Sequence, residues 1–216
     1  RRSGLRLTPV NLLIAVYILW LLLAFALGLR FASPTSTIAR QFAETLLSIS
    51  LTFVLVDLLR DSQSLRRLVL VIMLAVGAQA ATTLTLYALP DELAERTLIR
   101  LARIGYPDGG VIRYIEDNPE ESERAIGTWV DPNALGGILA ISAVMIAPQV
   151  FAHRPVLSQR WLTFGLLGLV SLALVLTFSR ASMLAFGLGV AFIACFRGYR
   201  RYFILILVGV MLLLIL

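Results

Sequence analysis

The chain has 216 residues, 59% of them hydrophobic, a mean hydropathy of +0.87 and a formal charge of +6. A soluble globular domain carries about 45–50% apolar residues, so this composition excludes an ordinary water-soluble domain. Arginine supplies all 19 basic residues, and a single Cys195 and a single His153 exclude a disulfide framework or a cysteine–histidine metal cluster.

The apolar residues come in seven blocks, over 9–29, 40–59, 68–89, 133–151, 161–178, 181–196 and 202–216. Each block is continuously apolar with no alternation, which predicts helices and not a barrel. A crossing helix needs about 20 such residues. The expected fold class is therefore all-α: a polytopic transmembrane helix bundle of about seven spans, forming one integral membrane domain over 1–216. The chain begins Arg-Arg-Ser and stops at Leu216 inside an apolar run. We therefore expect a fragment of a longer protein, its last span truncated. The first block is too long for a signal peptide.

Charge in the short loops sets the expected orientation. With the N-terminus cytoplasmic, the inner segments hold Arg1, Arg2, Arg6, Arg60, Arg66, Arg67, Arg154, Arg160, Arg197, Arg200 and Arg201, with only Asp57 and Asp61 as nearby acids. The opposite side then carries the long loop 90–132, with ten acids against five arginines and a net charge of −5. A pI near 10.2 suggests nucleic acid in a soluble protein, but here the positive-inside rule accounts for the arginines and no nucleic-acid partner is expected.

Local signals follow in chain order. Arg40 and Glu44 are four apart and suited to pairing. Gln79, with Thr82, Thr83 and Thr85, is placed to hydrogen-bond between helices. Within the long loop, Asp91–Arg103 sets Leu93, Leu98 and Leu101 on a rough stripe, predicting a short amphipathic helix along the membrane surface. Pro107-Asp108-Gly109-Gly110 predicts a turn, and Asn118–Glu123 a solvated acidic stretch. Asp131-Pro132 is an ordinary helix start. His153 lies in a short inner loop and carries no expected catalytic role. Trp161 fits an interfacial anchor, and Gly165, Gly168, Gly187 and Gly189 predict close helix contact.

Arg180 is the only charge between Trp161 and Phe196. That 36-residue run is too long for one span and suits two, with Thr177-Phe178-Ser179-Arg180 as the bend between them. An arginine in hydrocarbon costs at least about 2.5–3.5 kcal/mol. On the orientation above, Arg180 and Arg124 share the outer side. Two guanidiniums at one depth suit a phosphate or diphosphate, because each planar fork gives parallel charge-assisted hydrogen bonds. The alternative, equally open on physical grounds, is that both snorkel to lipid headgroups or pair with loop acids. No phosphate-cradling glycine loop, serine elbow or metal-ligand cluster is present.

The segment RAIGTWVDPNALGGILA, Arg124–Ala140, resembles a family pattern of Arg-Ala, a Gly two residues on, a Thr-aromatic pair and a Pro-Asn leading into a span. Thr177-Phe178-Ser179-Arg180-Ala181-Ser182 resembles the same family's Thr-x-Ser-Arg-small motif. LTPVNLLIAVYILW and DLLRDSQSLRRLVLVIMLAVGAQ fit its spacing. The family is that of the O-antigen ligase and O-antigen polymerase-like membrane glycosyltransferases. The likeness covers nearly the whole chain, with the two arginine motifs as its specific part.

The resemblance implies a larger protein of about ten to fourteen spans in the bacterial inner membrane. Such a protein takes a glycan from a polyprenyl-diphosphate carrier and passes it to a glycan or lipid A-core acceptor, without metal or other cofactor. It assigns the donor diphosphate to Arg124 and Arg180, with Asn133, Ser179 and Gln79 as supporting residues. Its histidine base belongs beyond Leu216, so no catalytic residue is expected in this fragment, which alone is expected to be inactive. The alternative from another class is a secondary transporter or flippase for a lipid-linked or anionic substrate. A third is a non-catalytic sensor or assembly subunit. Inverted repeats and paired broken helices, which would favour a transporter, are not visible.

Overall fold

The computed structural model describes residues 8–59, 61–104, 106–107 and 109–196. The seventh apolar block lies outside these, as do Arg1, Arg2, Arg6, Arg60, Asp108, Arg197, Arg200 and Arg201. The described chain is mostly helical: α1 (Pro9–Gly28), α2 (Ser36–Leu58), α3 (Ser62–Tyr87), α4 (Asp91–Ile99), α5 (Pro132–Val150), α6 (Arg160–Leu176) and α7 (Arg180–Phe196). The long loop adds a two-stranded antiparallel ribbon, β1 (Arg113–Tyr114) with β2 (Glu123–Arg124), which the all-α expectation did not contain.

Among the described residues four helices are long and apolar enough to cross a membrane: α1, α2 over Ser36–Val56, α3 and α5. The run around Arg180 divides as expected, into α6 and α7 with a bend at 177–179. Each of these is 17 residues long. At 1.5 Å per residue that is about 25 Å, against about 30 Å of hydrocarbon in an average bilayer.

The chain divides into two compact units, Arg1–Arg67 and Leu68–Leu216, with the division inside α3. In the first unit α1 starts at a Thr8 cap whose hydroxyl accepts from the Asn11 N–H, with Pro9 as first helical residue. The Thr35 hydroxyl caps α2 in the same way through the Ile38 N–H. Phe25 of α1 stacks on Phe42 of α2, centroids 4.0 Å apart. Arg40 and Glu44 pair at 3.3 Å on the exposed face, as their spacing predicts.

The second unit has two cores. The larger joins Met73, Val76 and Ala80 of α3, Leu135, Leu139, Ala143 and Ile146 of α5, Val170, Ala173 and Leu174 of α6, and Met183 of α7. Glycine permits the closest approaches. A Cβ on Gly77 would stand 2.6 Å from Leu166 Cδ1, and one on Gly136 2.8 Å from Ser182 Oγ. Gly189 backs onto Val144 in the same manner, as expected for a contact glycine, whereas Gly165 and Gly168 face open space and make no such contact.

The smaller core joins the end of α3 to the long loop and holds Leu86 of α3 with Ala94, Leu98, Val111 and Ile126, with Leu101 packed against it. It corrects the expected stripe on α4. Ala94, Leu98 and Leu101 stand at i, i+4 and i+7, a true helical face, and pack into this core. Leu93 is 48% exposed. The apolar side of α4 is thus taken up by its own loop. The acidic stretch is divided as well: Asn118–Ser122 forms the exposed connection of the ribbon, while Glu123 is half-buried in β2.

Candidate functional site

Arg124 is the second residue of β2 and half-buried. The ribbon is in register Arg113↔Arg124 and Tyr114↔Glu123, and the Ile115 N–H donates to the Ser122 carbonyl at 3.1 Å to extend it. The chain then turns to α5 through Ala125, Ile126 and Gly127, all buried. The Ala125 N–H donates to the Leu176 carbonyl at the end of α6, at 2.8 Å. Gly127 adopts φ +55°, a left-handed conformation. The space its missing Cβ leaves is filled by the Thr83 hydroxyl and the Gln79 amide of α3, with Nε2 2.6 Å from the Cβ position.

This route delivers the Arg124 side chain to the bend between α6 and α7. Its Nε–H donates to the Thr177 carbonyl at 2.9 Å, and Nη2 donates to Asn133 Oδ1 at 2.9 Å. Thr177 is the C-cap of α6 and fully buried, so the guanidinium meets the negative end of a helix, where a cation is favoured. Asn133 lies in the first turn of α5. The Asp131 side chain accepts from the Asn133 N–H at 2.8 Å, with Pro132 as first helical residue, the start expected from sequence.

The bend itself is tight. Phe178 takes φ +49°, a region that disfavours any residue with a Cβ. The Thr177 hydroxyl donates to the Leu174 carbonyl at 2.7 Å and accepts from the Ser179 N–H at 3.3 Å. Ser179 is 2% exposed, and its hydroxyl shares a 2.8 Å hydrogen bond with Ser182 beneath Gly136. Arg180 opens α7 and is exposed, and its side chain makes no hydrogen bond or ion pair to any described residue. A cation at a helix N-terminus opposes the macrodipole, whereas an anion there is favoured.

The structure therefore brings Arg124, Asn133 and the Thr177–Arg180 bend together. Gln79 stands one step back: its Oε1 accepts from the Thr128 hydroxyl at 2.9 Å, while its Nε2 is buried with no partner among the described residues. The expected bonding between helices is corrected at the threonines. Thr83 and Thr85 donate to the Gln79 and Ala81 carbonyls of their own helix, and Gln79 ties α3 to the loop before α5.

Sequence reasoning missed the other face of the ribbon. The Tyr114 hydroxyl donates to Asp91 Oδ2 at 2.6 Å, and this bond, with burial and nearby carboxylates, pushes Tyr114 up to about 12. Glu123, its cross-strand partner, is pushed up to about 7 by burial first and by the Asp91 charge second. Arg113 was passed over too, although Asn118-Pro119 between two short runs is a turn signal that could have paired it with Arg124. Among the described residues, no three His, Cys, Asp or Glu side chains gather as a metal site.

No protein-family model, curated protein or solved structure matches this chain. The chemistry of the site rests on its own residues. The arrangement offers one guanidinium locked by two acceptors, a second exposed at a helix start, and helix N-termini at Asn133 and Arg180. That combination suits an oxyanion.

Proposed function

We propose that the chain is part of a membrane glycosyltransferase of the O-antigen ligase or polysaccharide polymerase type. It would transfer a glycan from a polyprenyl-diphosphate carrier to a sugar acceptor in cell-surface polysaccharide assembly. The observation that carries this reading is the double anchoring of Arg124, to Asn133 and to Thr177, which stands three residues before Arg180. The two arginine motifs on which the family resemblance rests thus meet at one bend.

In this mechanism the two guanidiniums hold the donor diphosphate and take up the charge that develops as it leaves. Donors fixed before reaction need no reorganisation at the transition state. The acceptor hydroxyl attacks the anomeric carbon as the glycosyl–phosphate bond breaks, and a general base takes its proton. The resemblance assigns that base to a histidine beyond Leu216. Arg124 also neutralises the carbonyl end of α6, a structural role that accompanies the catalytic one.

The test is Arg124→Lys and Arg180→Lys in the full-length protein. A lysine keeps the charge but loses the planar fork, and loss of one oxyanion donor costs about 100-fold or more in rate. Glycan transfer is expected to fall to that extent for each. Normal polysaccharide assembly with both changes overturns the reading.

A further inference from the structure

The register of the ribbon sets Arg113 directly opposite Arg124. The Ile115 N–H to Ser122 carbonyl bond marks 115/122 as a hydrogen-bonded pair, and alternation along an antiparallel ladder makes 113/124 another. Their Cα atoms are then about 5.5 Å apart, with both side chains on one face. Like charges in that position destabilise a sheet. Among the described residues nothing offsets them: Arg113 is half-buried, and its guanidinium makes no hydrogen bond or ion pair to any of these residues.

The acids of the ribbon are on its other side. Tyr114 and Glu123 form the adjacent cross-strand pair, which alternation turns the opposite way. Tyr114 binds Asp91 there, and Glu123 responds to burial and to the Asp91 charge. A guanidinium lying against Glu123 would instead draw its carboxyl down. The ribbon thus sorts its charges, with carboxyls and phenol on one face and two guanidiniums on the other.

Arg124 commits two of its five N–H donors, to Thr177 and Asn133. The rest are committed to no described residue, nor are those of the Arg113 guanidinium. We infer that the Arg113–Arg124 face is a seat for a phosphate-type oxyanion, with Arg113 as a further guanidinium beside Arg124. Arg124 is locked in place, and Arg113 closes on the anion from across the ribbon. An anion between them removes the repulsion and supplies bidentate acceptors to both forks. The chemistry is that of a phosphate or diphosphate ester, free or lipid-borne. Its assignment to the glycan donor rests on the proposed function above; the seat itself does not.

The full-length protein in nanodiscs is titrated with inorganic pyrophosphate and, separately, with farnesyl diphosphate placed in the nanodisc lipid. Arg113→Gln is expected to weaken binding at least about tenfold, the loss of one charge-assisted pair. Arg113→Lys should lie between it and wild type. Weakening in the pyrophosphate arm identifies recognition of the phosphates alone; weakening confined to farnesyl diphosphate identifies a lipid-borne anion. Either supports the seat. The thermal midpoint without anion is read alongside. A seat predicts that Arg113→Gln leaves it unchanged or raises it, because a like-charge contact is removed. A midpoint lowered by Arg113→Gln and restored by Arg113→Lys, with wild-type binding in both arms, would show a structural cation and overturn the inference.

Failure of the two readings looks different. If Arg124→Gln and Arg180→Gln abolish binding and Arg113→Gln does not, the seat falls and the glycosyltransferase reading stands. If Arg113→Gln weakens binding while Arg124→Lys and Arg180→Lys assemble polysaccharide normally, the seat stands and the enzyme reading falls.

Discussion

The guanidinium of Arg124 reaches the carbonyl of Thr177, 53 residues further along the chain, at 2.9 Å. Around that bond the long loop, the end of α6 and the start of α5 are joined. Ala125, the next residue, donates to Leu176, so backbone and side chain attach the loop to neighbouring carbonyls of one helix end. The end of α6 therefore fixes where this part of the loop meets the helices.

Gly127 and Gly110 separate two reasons for a glycine. Both have positive φ, +55° and +61°. Gly110 has nothing within 4 Å of a Cβ, whereas Gly127 is packed against Thr83 and Gln79. Gly110→Ala should cost about 1–2 kcal/mol, the left-handed backbone alone. Gly127→Ala should cost a further 1–3 kcal/mol or so from overpacking and break the Thr128–Gln79 bond. Chemical denaturation in one detergent compares them; equal losses would show that packing at α3 does not matter.

Gly136 and Gly137 are neighbours on α5 with opposite expectations. A Cβ on Gly136 meets Ser179 at 3.0 Å and Ser182 at 2.8 Å, while one on Gly137 meets nothing within 4 Å. Gly136→Ala should push α7 and its bend away, at a cost of about 1–3 kcal/mol. Gly137→Ala should stabilise by about 0.5–1 kcal/mol, as expected for a helix interior. The same unfolding measurement reads both.

Glu123 gives the long loop a pH dependence. Its carboxyl stands at about 7 in the folded loop, against about 4.3 in an unfolded chain. Between those values the folded form binds more protons, so the loop loses stability as pH rises from about 4.3 to about 7 and changes little above that. Amide hydrogen exchange across 111–126, corrected for intrinsic rates, should show opening that increases over this range. Glu123→Gln should remove the slope, and a slope that survives it would place the titration elsewhere.

Much of the fold was legible because continuous hydropathy marks helices directly. Six of the seven apolar blocks are helices here, the seventh lying outside the described residues. Asp131-Pro132 gave the start of α5, since the cap and first-turn chemistry is local. The site was legible in part. Arg180 is a lone charge in an apolar run and Asn133 stands in the motif that Arg124 opens, but the other acceptor that fixes Arg124 is a backbone carbonyl, which leaves no trace in side-chain identity. The ribbon was not legible: strands of two residues show no alternation, and its partners are set by the 118–122 turn. On α4 the eye falls on Leu93, yet 93 and 98 are five apart and point different ways; the small Ala94 makes the buried face. Gly165 and Gly168 show the same limit, because an all-apolar run does not reveal which way a glycine faces.

The left-handed Phe178 has one more consequence. Glycine at such a corner would let the peptide swivel, and the Thr177 oxygen could turn away from its guanidinium. A phenylalanine there costs about 1–2 kcal/mol in backbone preference, but its Cβ leaves the peptide fewer settings than a glycine would have. The Thr177 carbonyl, and with it the Arg124 side chain, is thereby more narrowly aimed.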